Sequence, residues 1–175
     1  MELTTAITLI KKGVQSSTLP QTWADLGAGG GLFTKALSTL LPAGSFIYAI
    51  DQDAKALNSI TIASKEITLK KVRIDFVNDP IEVDPLDGLL MANALHFVSD
   101  KVAFMTRIRK ILKPTARIVL IEYDRNTSNP WVPYPISYRS LQQLADEIGV
   151  ASLTKVGSVP SKYDGANIYS AVLAI

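Results

Sequence analysis

The sequence has 175 residues, of which 47% are hydrophobic and 19% charged, and its formal net charge at pH 7 is +2. This length is that of one ordinary domain with a single core, and the composition is that of a folded globular protein. Zero cysteines and one histidine exclude a disulfide framework, a thiolate nucleophile and a Cys- or His-rich metal site. The small net charge does not indicate a dedicated nucleic-acid binder.

No apolar run approaches the roughly 20 residues that cross a bilayer. The N-terminus also lacks the basic-then-apolar order of a secretory signal. We therefore expect no membrane insertion, a cytoplasmic location and one domain over residues 1–175. We also expect no bound metal.

Apolar residues alternate between short β-branched runs and longer segments of helical period, which predicts a parallel α/β sheet. In chain order the predicted elements are helix 3–12, strand 22–26, a helix that includes 33–41, strand 45–50, helix 54–64, strand 72–77, strand 87–92, helix 100–112, strand 117–123, helix 137–148, strand 151–156 and strand 168–175. A basic turn, Lys70-Lys71, is expected before the third strand, and Lys113-Pro114 is expected to end the fourth helix.

The connection between the third and fourth strands sets the predicted topology. It has only about eight residues, too few for a crossover helix, yet it spans roughly 26 Å when extended. That length suffices to return past two strands spaced about 4.8 Å apart. We therefore predict an α/β fold: a doubly wound, mostly parallel seven-stranded sheet of order 3-2-1-4-5-7-6, with an antiparallel last strand and helices on both faces.

A glycine-rich turn follows the first predicted strand. Asp25 ends that strand, and glycines stand at the alternate positions Gly27, Gly29 and Gly31. Glycine accepts positive φ and lets a ligand approach the backbone closely, although a plain strand-to-helix turn is the alternative. The dinucleotide pattern GxGxxG would need a third glycine at position 32, which is leucine, so the spacing argues against a pyrophosphate site.

This spacing, with an acid two residues before it, is similar to the first motif of class I S-adenosyl-L-methionine (SAM)-dependent methyltransferases, and the resemblance extends through almost the whole chain. It is closest in character to the small-molecule branch of type 11 and ubiquinone-biosynthesis-like methyltransferases. The resemblance implies SAM as the cofactor. It assigns Asp25, Gly27, Ala28, Gly29 and Gly31 to the binding loop.

Asp51 follows the second strand, about 20 residues beyond the glycines, where a carboxylate can accept both hydroxyls of a ribose. A solvent-facing acid is the alternative, and dehydrogenases use this position too. In the family that the chain resembles, the next side chain, here Gln52, packs near the adenine. Asp53 is expected to cap the following helix.

The segment 76–79 after the third strand resembles the family's Asp-containing turn, whose acid accepts a hydrogen bond from the adenine amino group. Asp79 is the candidate acid, and Asn78 lies beside it. The alternative is a turn before Pro80, because Asn-Asp-Pro is favourable turn chemistry.

The segment 86–97 resembles the family's fourth strand and its Ala-Leu-His loop. The resemblance implies that the Ala92 carbonyl or Asn93 receives the ammonium group of SAM. An Asn/Asp-Pro-Pro-aromatic tetrapeptide is absent from this segment, which disfavours the adenine, cytosine and glutamine N-methyltransferases. Later, Thr115 and Ala116 replace both glycines of the family's Leu-Lys-Pro-Gly-Gly turn, so the chain is a divergent member.

Four side chains are candidates for the acceptor side of the reaction. His96 borders the expected transfer site and is either a general base or a structural residue. Glu122 is a carboxylate that could assist the reaction if the acceptor is a hydroxyl or a carbon acid. Trp131 and Tyr134 belong to a proline-stiffened loop after the fifth strand, which is either the acceptor site or a hydrophobic plug.

Four basic residues on and after the predicted fourth helix form either a solvated face or a nucleic-acid contact; they are Arg107, Arg109, Lys110 and Lys113. The overall expectation is a SAM-dependent methyltransferase that acts by alignment and water exclusion on a small-molecule acceptor. A nucleic-acid or protein acceptor, a non-catalytic SAM-binding partner or scaffold, and an NAD-dependent oxidoreductase are the alternatives.

Overall fold

The protein is described by a computed structural model over residues 1–161 and 165–175. The helices are α1 (Leu3–Ile10), α2 (Leu32–Ser38), α3 (Ala54–Ser59), α4 (Lys101–Arg109) and α5 (Tyr138–Ile148). The strands are β1 (Thr22–Leu26), β2 (Phe46–Asp51), β3 (Thr68–Arg73), β4 (Leu86–Ala92), β5 (Leu112–Tyr123), β6 (Ser152–Pro160) and β7 (Asn167–Ala174). A short 3-10 turn, Leu95–Phe97, follows β4.

The seven strands form one sheet of order β3-β2-β1-β4-β5-β7-β6, which confirms the predicted order. Strands β1 to β5 are parallel to one another, and β7 is antiparallel to both β5 and β6. The central strands are apolar because helices cover both faces of the sheet. Since β1 and β4 are adjacent, the carboxyl ends of β1, β2 and β4 meet at the switch point, where this architecture binds ligands.

The third strand lies four residues earlier than predicted. We expected it over 72–77 after a basic turn at Lys70-Lys71, but β3 ends at Arg73 and both lysines lie within it. β3 is an edge strand, where lysines discourage pairing with a further strand, and Lys70 also lies over the Tyr48 ring at 5.5 Å. The two lysines that indicated a turn therefore protect the edge of the sheet.

Other boundaries also differ from the predicted ones. Helix α4 ends at Arg109 instead of residue 112, and β5 starts at Leu112, so the predicted helix-ending turn at Lys113-Pro114 is wrong. Proline is tolerated there because the β4–β5 register shifts between Leu86 and Gly88. Helix α3 ends five residues before its predicted end at 64, and β6 continues four residues beyond its predicted end at 156.

Two apolar clusters hold α1, α2, α4 and α5 against the sheet. Helices α1 and α2 pack on one face around the buried Trp23, whose indole N–H donates to Gln21 Oε1 at 2.9 Å. Helices α4 and α5 cover the other face, where Phe104 and Leu141 are buried. Among the helices of the described residues, none has the length and apolar character that a membrane crossing requires.

Candidate active site

Two adjoining cavities lie at the carboxyl ends of β1, β2 and β4, and they share Gly27 and Asn93. The larger, of about 410 Å³, is lined by Gly27, Asp51, Gln52, Asp75, Phe76, Val77, Asn78, Asn93, Ala94 and Phe97. The smaller, of about 390 Å³, is lined by Asp25, Gly27, Ala28, Gly29, Gly30, Leu32, Phe33, Lys35, Ala92 and Asn93. The arrangement therefore offers two connected compartments on either side of the glycine turn.

All three alternate glycines have positive φ, but they serve different purposes. A Cβ on Gly27 would lie 2.6 Å from the Ala94 side chain, and one on Gly31 would lie 2.5 Å from Ile60. At Gly29 a Cβ would meet nothing within 4 Å. Gly27 and Gly31 are thus required by turn geometry and internal packing, whereas Gly29 exposes bare backbone to the cavity.

Asp51 ends β2 and joins the glycine turn to the next helix. Its Oδ2 accepts from the Gly29 N–H at 2.8 Å, and its Oδ1 accepts from the Asp53 N–H at 2.9 Å. Each carboxylate oxygen has a further lone pair, so the group can also accept from hydroxyls in the larger cavity. The predicted helix cap is confirmed, because Asp53 accepts from the Lys55 and Ala56 N–H groups.

Two buried acceptors face the smaller cavity without a hydrogen-bond partner among the described residues, Asp25 Oδ1 and Asn93 Oδ1. The other oxygen of Asp25 accepts from the Thr34 hydroxyl at 2.6 Å. Burial raises the pKa of Asp25 to about 7, although the Thr34 hydrogen bond opposes this and the Asp51 charge adds to it. Buried acceptors are normally paired, so these two oxygens fit a donor supplied by a ligand, above all a cationic one.

The turn after β3 places Asp75, and not the predicted Asp79, in the cavity wall. Asp79 is used inside the turn, where its Oδ2 accepts from the Asp75 N–H at 2.9 Å and its own N–H donates to the Asp75 carbonyl at 2.8 Å. Asn78 of the same turn also lines the cavity, and its Nδ2 donates to Asp75 Oδ2 at 2.7 Å. The early end of β3 causes the difference, because it brings Asp75 to the first turn after the strand.

His96 and Glu122, which the sequence offered as separate candidates, form a buried pair. Glu122 Oε2 lies 2.8 Å from His96 Nδ1, and its Oε1 accepts from the His96 N–H at 3.1 Å. The two side chains are only 3% and 1% exposed. An ionised carboxylate can only accept, so the neutral tautomer that this contact favours carries its proton on Nδ1 and its lone pair on Nε2.

The His96 turn also forms part of the cavity wall. The His96 ring lies against the Phe97 ring, with centroids 4.4 Å apart, and Phe97 lines the larger cavity while remaining half-exposed. The Lys101 ammonium donates to the Val98 and Tyr134 carbonyls at 2.8 and 2.9 Å. Burial lowers the pKa of Lys101, against the opposing effect of the Glu122 charge.

The aromatic loop after β5 packs beside this pair. The Tyr134 N–H donates to the His96 carbonyl at 3.0 Å, so the loop and the His96 turn are joined. Trp131 is 78% exposed and Tyr134 47%, whereas Val132 and Ile136 are buried. The plug interpretation therefore holds for the two aliphatic residues and is wrong for the two aromatic ones, which remain on the surface.

The basic residues near α4 are not simply a solvated face. Arg107 donates to three carbonyls of the 75–79 turn, and Arg109 donates to two carbonyls at the end of α5. The Lys113 ammonium pairs with both oxygens of Asp87 at 2.8 Å. These three side chains join secondary-structure elements, which helical periodicity alone did not indicate.

Residues 24–120, more than half of the chain, match the profile of the family described as "Methyltransferase domain". The chain therefore belongs to this family of methyltransferase domains. A curated relative, the highly reducing polyketide synthase ACRTS2 of Alternaria alternata, is 36% identical over 73 residues, 39% of this chain. The matched region covers 3% of the length of that synthase.

Solved structures share the fold at low sequence identity. A SAM-dependent methyltransferase from Aquifex aeolicus superposes with a TM-score of 0.70 at 18% identity, covering 97% of this chain and 89% of that one. The CurJ carbon methyltransferase gives a TM-score of 0.69 at 17% identity, covering 99% of this chain and 58% of that one. The predicted resemblance to class I SAM-dependent methyltransferases, and SAM as the cofactor of this fold, are confirmed.

Proposed function

We propose that the chain binds SAM across the two cavities and methylates a small-molecule acceptor that must lose a proton, with His96 as the base and Glu122 as its orienting partner. Residues 1–175 form the catalytic domain in this proposal. The observation that carries it is the buried 2.8 Å contact between His96 Nδ1 and Glu122 Oε2, in the turn whose Ala94 and Phe97 line the larger cavity. A histidine held by a carboxylate in this way is the arrangement of a general base.

The residues of the two cavities fit SAM part by part. Asp51 retains lone pairs for the ribose hydroxyls, and the exposed backbone of Gly29 permits close approach. The unpaired oxygens of Asp25 and Asn93 suit the ammonium group of the methionine part. The larger cavity continues to the 75–79 turn, where Phe76 and Asn78 offer an apolar and a polar surface to a nucleobase.

When bound, SAM supplies an electrophilic methyl group on a positively charged sulfur. In this proposal the chain's own residues prepare the nucleophile. His96 Nε2 takes a proton from the acceptor, and the charge that develops on the ring is balanced by Glu122. Their burial keeps water from competing for that proton.

A buried base favours some acceptors over others. An amine presented as the neutral form attacks without such help, whereas a hydroxyl or a carbon acid must be deprotonated. The matched relative is a polyketide synthase, and a structural neighbour is a carbon methyltransferase. These support, as our proposal, an acceptor whose C–H is acidified by neighbouring carbonyl groups.

The test uses three acceptors of distinct chemistry with the purified chain and isotopically labelled SAM: a β-ketoacyl thioester, a catechol and a primary amine. We expect the labelled methyl group on the α-carbon of the thioester, between its two carbonyl groups, where the acidic C–H is lost. In D₂O with S-adenosylhomocysteine (SAH), the wild type should also exchange the acidic C–H of the thioester, and His96→Asn should lose this exchange. Methylation of the amine alone, or exchange that persists in His96→Asn, would refute the assigned base. Binding of SAH without transfer to any acceptor would favour the non-catalytic alternative.

A further inference from the structure

The turn between β3 and β4, residues 75–79, separates two cavities. Val77 and Asn78 line the larger cavity on one side and a third cavity, of about 320 Å³, on the other. Residues 74–85 contain neither helix nor strand, and they follow an edge strand. The shape of the nucleobase side of the larger cavity therefore depends on what holds this turn from behind.

Arg107 of α4 reaches the turn from the side of the third cavity. Its Nη2 donates to the Phe76 carbonyl at 2.6 Å and the Val77 carbonyl at 2.8 Å, and its Nη1 donates to the Asp79 carbonyl at 3.1 Å. One guanidinium thus donates to three backbone carbonyls of the same turn. Its planar fork of donors suits this task, whereas an ammonium offers a single centre.

An aromatic contact joins the same two elements. The Arg107 guanidinium lies 5.4 Å from the centroid of the Phe104 ring, and the Phe104 and Phe76 rings meet edge to face at 6.0 Å. The hydrogen bonds within the turn are local, among Asp75, Val77, Asn78 and Asp79. Local bonds close the turn but do not fix its position relative to the sheet, so the contacts with α4 supply that constraint.

We propose that Arg107 is a positioning residue of the cofactor site. Arg107 does not itself line either cavity of the candidate site. It acts by holding Phe76, Val77 and Asn78 where the nucleobase binds. If the turn occupies its binding-competent position only a tenth of the time without this clamp, the dissociation constant rises about tenfold. The ligand part of this inference rests on the proposed function, whereas the clamp itself does not.

Arg109 provides a matched control on the same helix. It also donates to two carbonyls, those of Ile148 at 2.7 Å and Gly149 at 3.4 Å. These carbonyls lie at the end of α5, among residues that line neither cavity of the candidate site. Arg109→Ala therefore removes a comparable clamp without touching the turn.

The first measurement is hydrogen exchange of the ligand-free protein. The Val77, Asn78 and Asp79 N–H groups donate within the turn, so their exchange reports its order. We expect at least about tenfold faster exchange of these amides in Arg107→Ala, a smaller increase in Arg107→Lys, and none in Arg109→Ala. Unchanged exchange in Arg107→Ala overturns the clamp, whether or not the protein binds SAM. Arg107→Lys serves in its place if the alanine variant does not fold.

The second measurement is the affinity for SAH by calorimetry, at a temperature where all variants are folded. We expect Arg107→Ala to weaken binding about tenfold and Arg109→Ala to leave it unchanged even where it lowers the melting temperature. Equal losses in both variants would show a general structural effect and overturn the positioning role. If the wild type itself does not bind SAH, the proposed function fails, and the exchange measurement still decides the clamp.

Discussion

The two halves of the candidate site are built in different ways. At the ends of β1 and β2, Gly29 and Asp51 are joined by a hydrogen bond between neighbouring loops, and a short spaced motif predicts both. At the ends of β4 and β5, His96 and Glu122 meet only because their strands are adjacent in the sheet. Local sequence thus specifies the half proposed to bind the cofactor (the cofactor half), whereas tertiary structure assembles the half proposed to act as base (the catalytic half). Each prediction below tests this division.

The largest expected effect is on the catalytic half alone. His96→Asn should lower kcat by about 10²- to 10⁴-fold, the usual contribution of a general base, because no other group replaces Nε2. SAH affinity should remain within about twofold, since Asn93 and Asp25, not His96, face the smaller cavity. Steady-state kinetics and calorimetry on the same preparation measure both. A comparable loss of SAH binding would show that the two halves are not separable.

Asp51→Ala should act in the opposite way, on the cofactor half. In the proposed site the Asp51 carboxylate accepts from two ribose hydroxyls, so its removal should weaken SAH binding by about 1.5–3 kcal/mol. Asp51 also accepts from the Gly29 and Asp53 N–H groups, so Asp51→Asn is the control that keeps the side-chain shape and one oxygen. Calorimetry gives the affinity, and a thermal melt checks folding. An unchanged dissociation constant in Asp51→Ala would remove this residue from the site.

The pH dependence of binding should trace Asp25. Its pKa of about 7, raised by burial, means that the carboxyl is neutral below pH 7 and cannot balance a ligand ammonium. SAH affinity should therefore fall by up to about tenfold per pH unit below pH 7. The dependence should persist in His96→Asn and vanish in Asp25→Asn. A pH profile that follows His96 instead would contradict the assignment.

The free energy of unfolding should also depend on the titration of Asp25, but with the opposite sign: protonation weakens ligand binding and stabilises the fold. The folded protein holds a proton on Asp25 between its unfolded value of 3.8 and about 7, whereas the unfolded chain does not. The free energy of unfolding therefore decreases as pH rises through this window, and the contribution is lost above pH 7. Thermal melts of the ligand-free wild type and Asp25→Asn across this range should differ in slope. Parallel curves would mean that Asp25 titrates normally.

The three glycines separate packing from binding within the cofactor half. Gly31→Ala should lower the melting temperature, because its Cβ would lie 2.5 Å from Ile60. Gly29→Val should weaken SAH binding while perturbing the fold less, since nothing lies within 4 Å of its Cβ position. Because both glycines have positive φ, a side chain at either position adds a backbone strain of about 1–2 kcal/mol. Retained SAH affinity in Gly29→Val would show that this glycine serves only the turn.

The difference between the halves explains what the sequence could predict. The alternation of strands and helices and the short β3–β4 connection were enough for the sheet order, because few topologies satisfy both. The sequence offered Asp79 as the candidate acid because β3 was placed four residues too late, when the lysines of an edge strand were interpreted as a turn, whereas Asp75 lies in the cavity wall. The His96–Glu122 pair and the Arg107 clamp join residues 26 and about 30 positions apart. No local pattern encodes such contacts.

The smallest expected effect concerns the surface of the catalytic half. Trp131 is 78% exposed and its neighbour Val132 is 4% exposed, so the same loop offers a functional and a structural side chain for comparison. Trp131→Ala should raise the acceptor KM several-fold by removing a large contact surface, with kcat and SAH affinity unchanged. Its melting temperature should stay within about 2 °C of the wild type, because little packing is lost.

Val132→Ala should do the reverse and lower the melting temperature by several degrees through a core cavity. The loop is held to the His96 turn by a backbone hydrogen bond from Tyr134, so a shift of the loop in Val132→Ala would also lower kcat. If Trp131→Ala destabilises the protein as much as Val132→Ala, the exposed ring is part of the fold and the acceptor binds elsewhere.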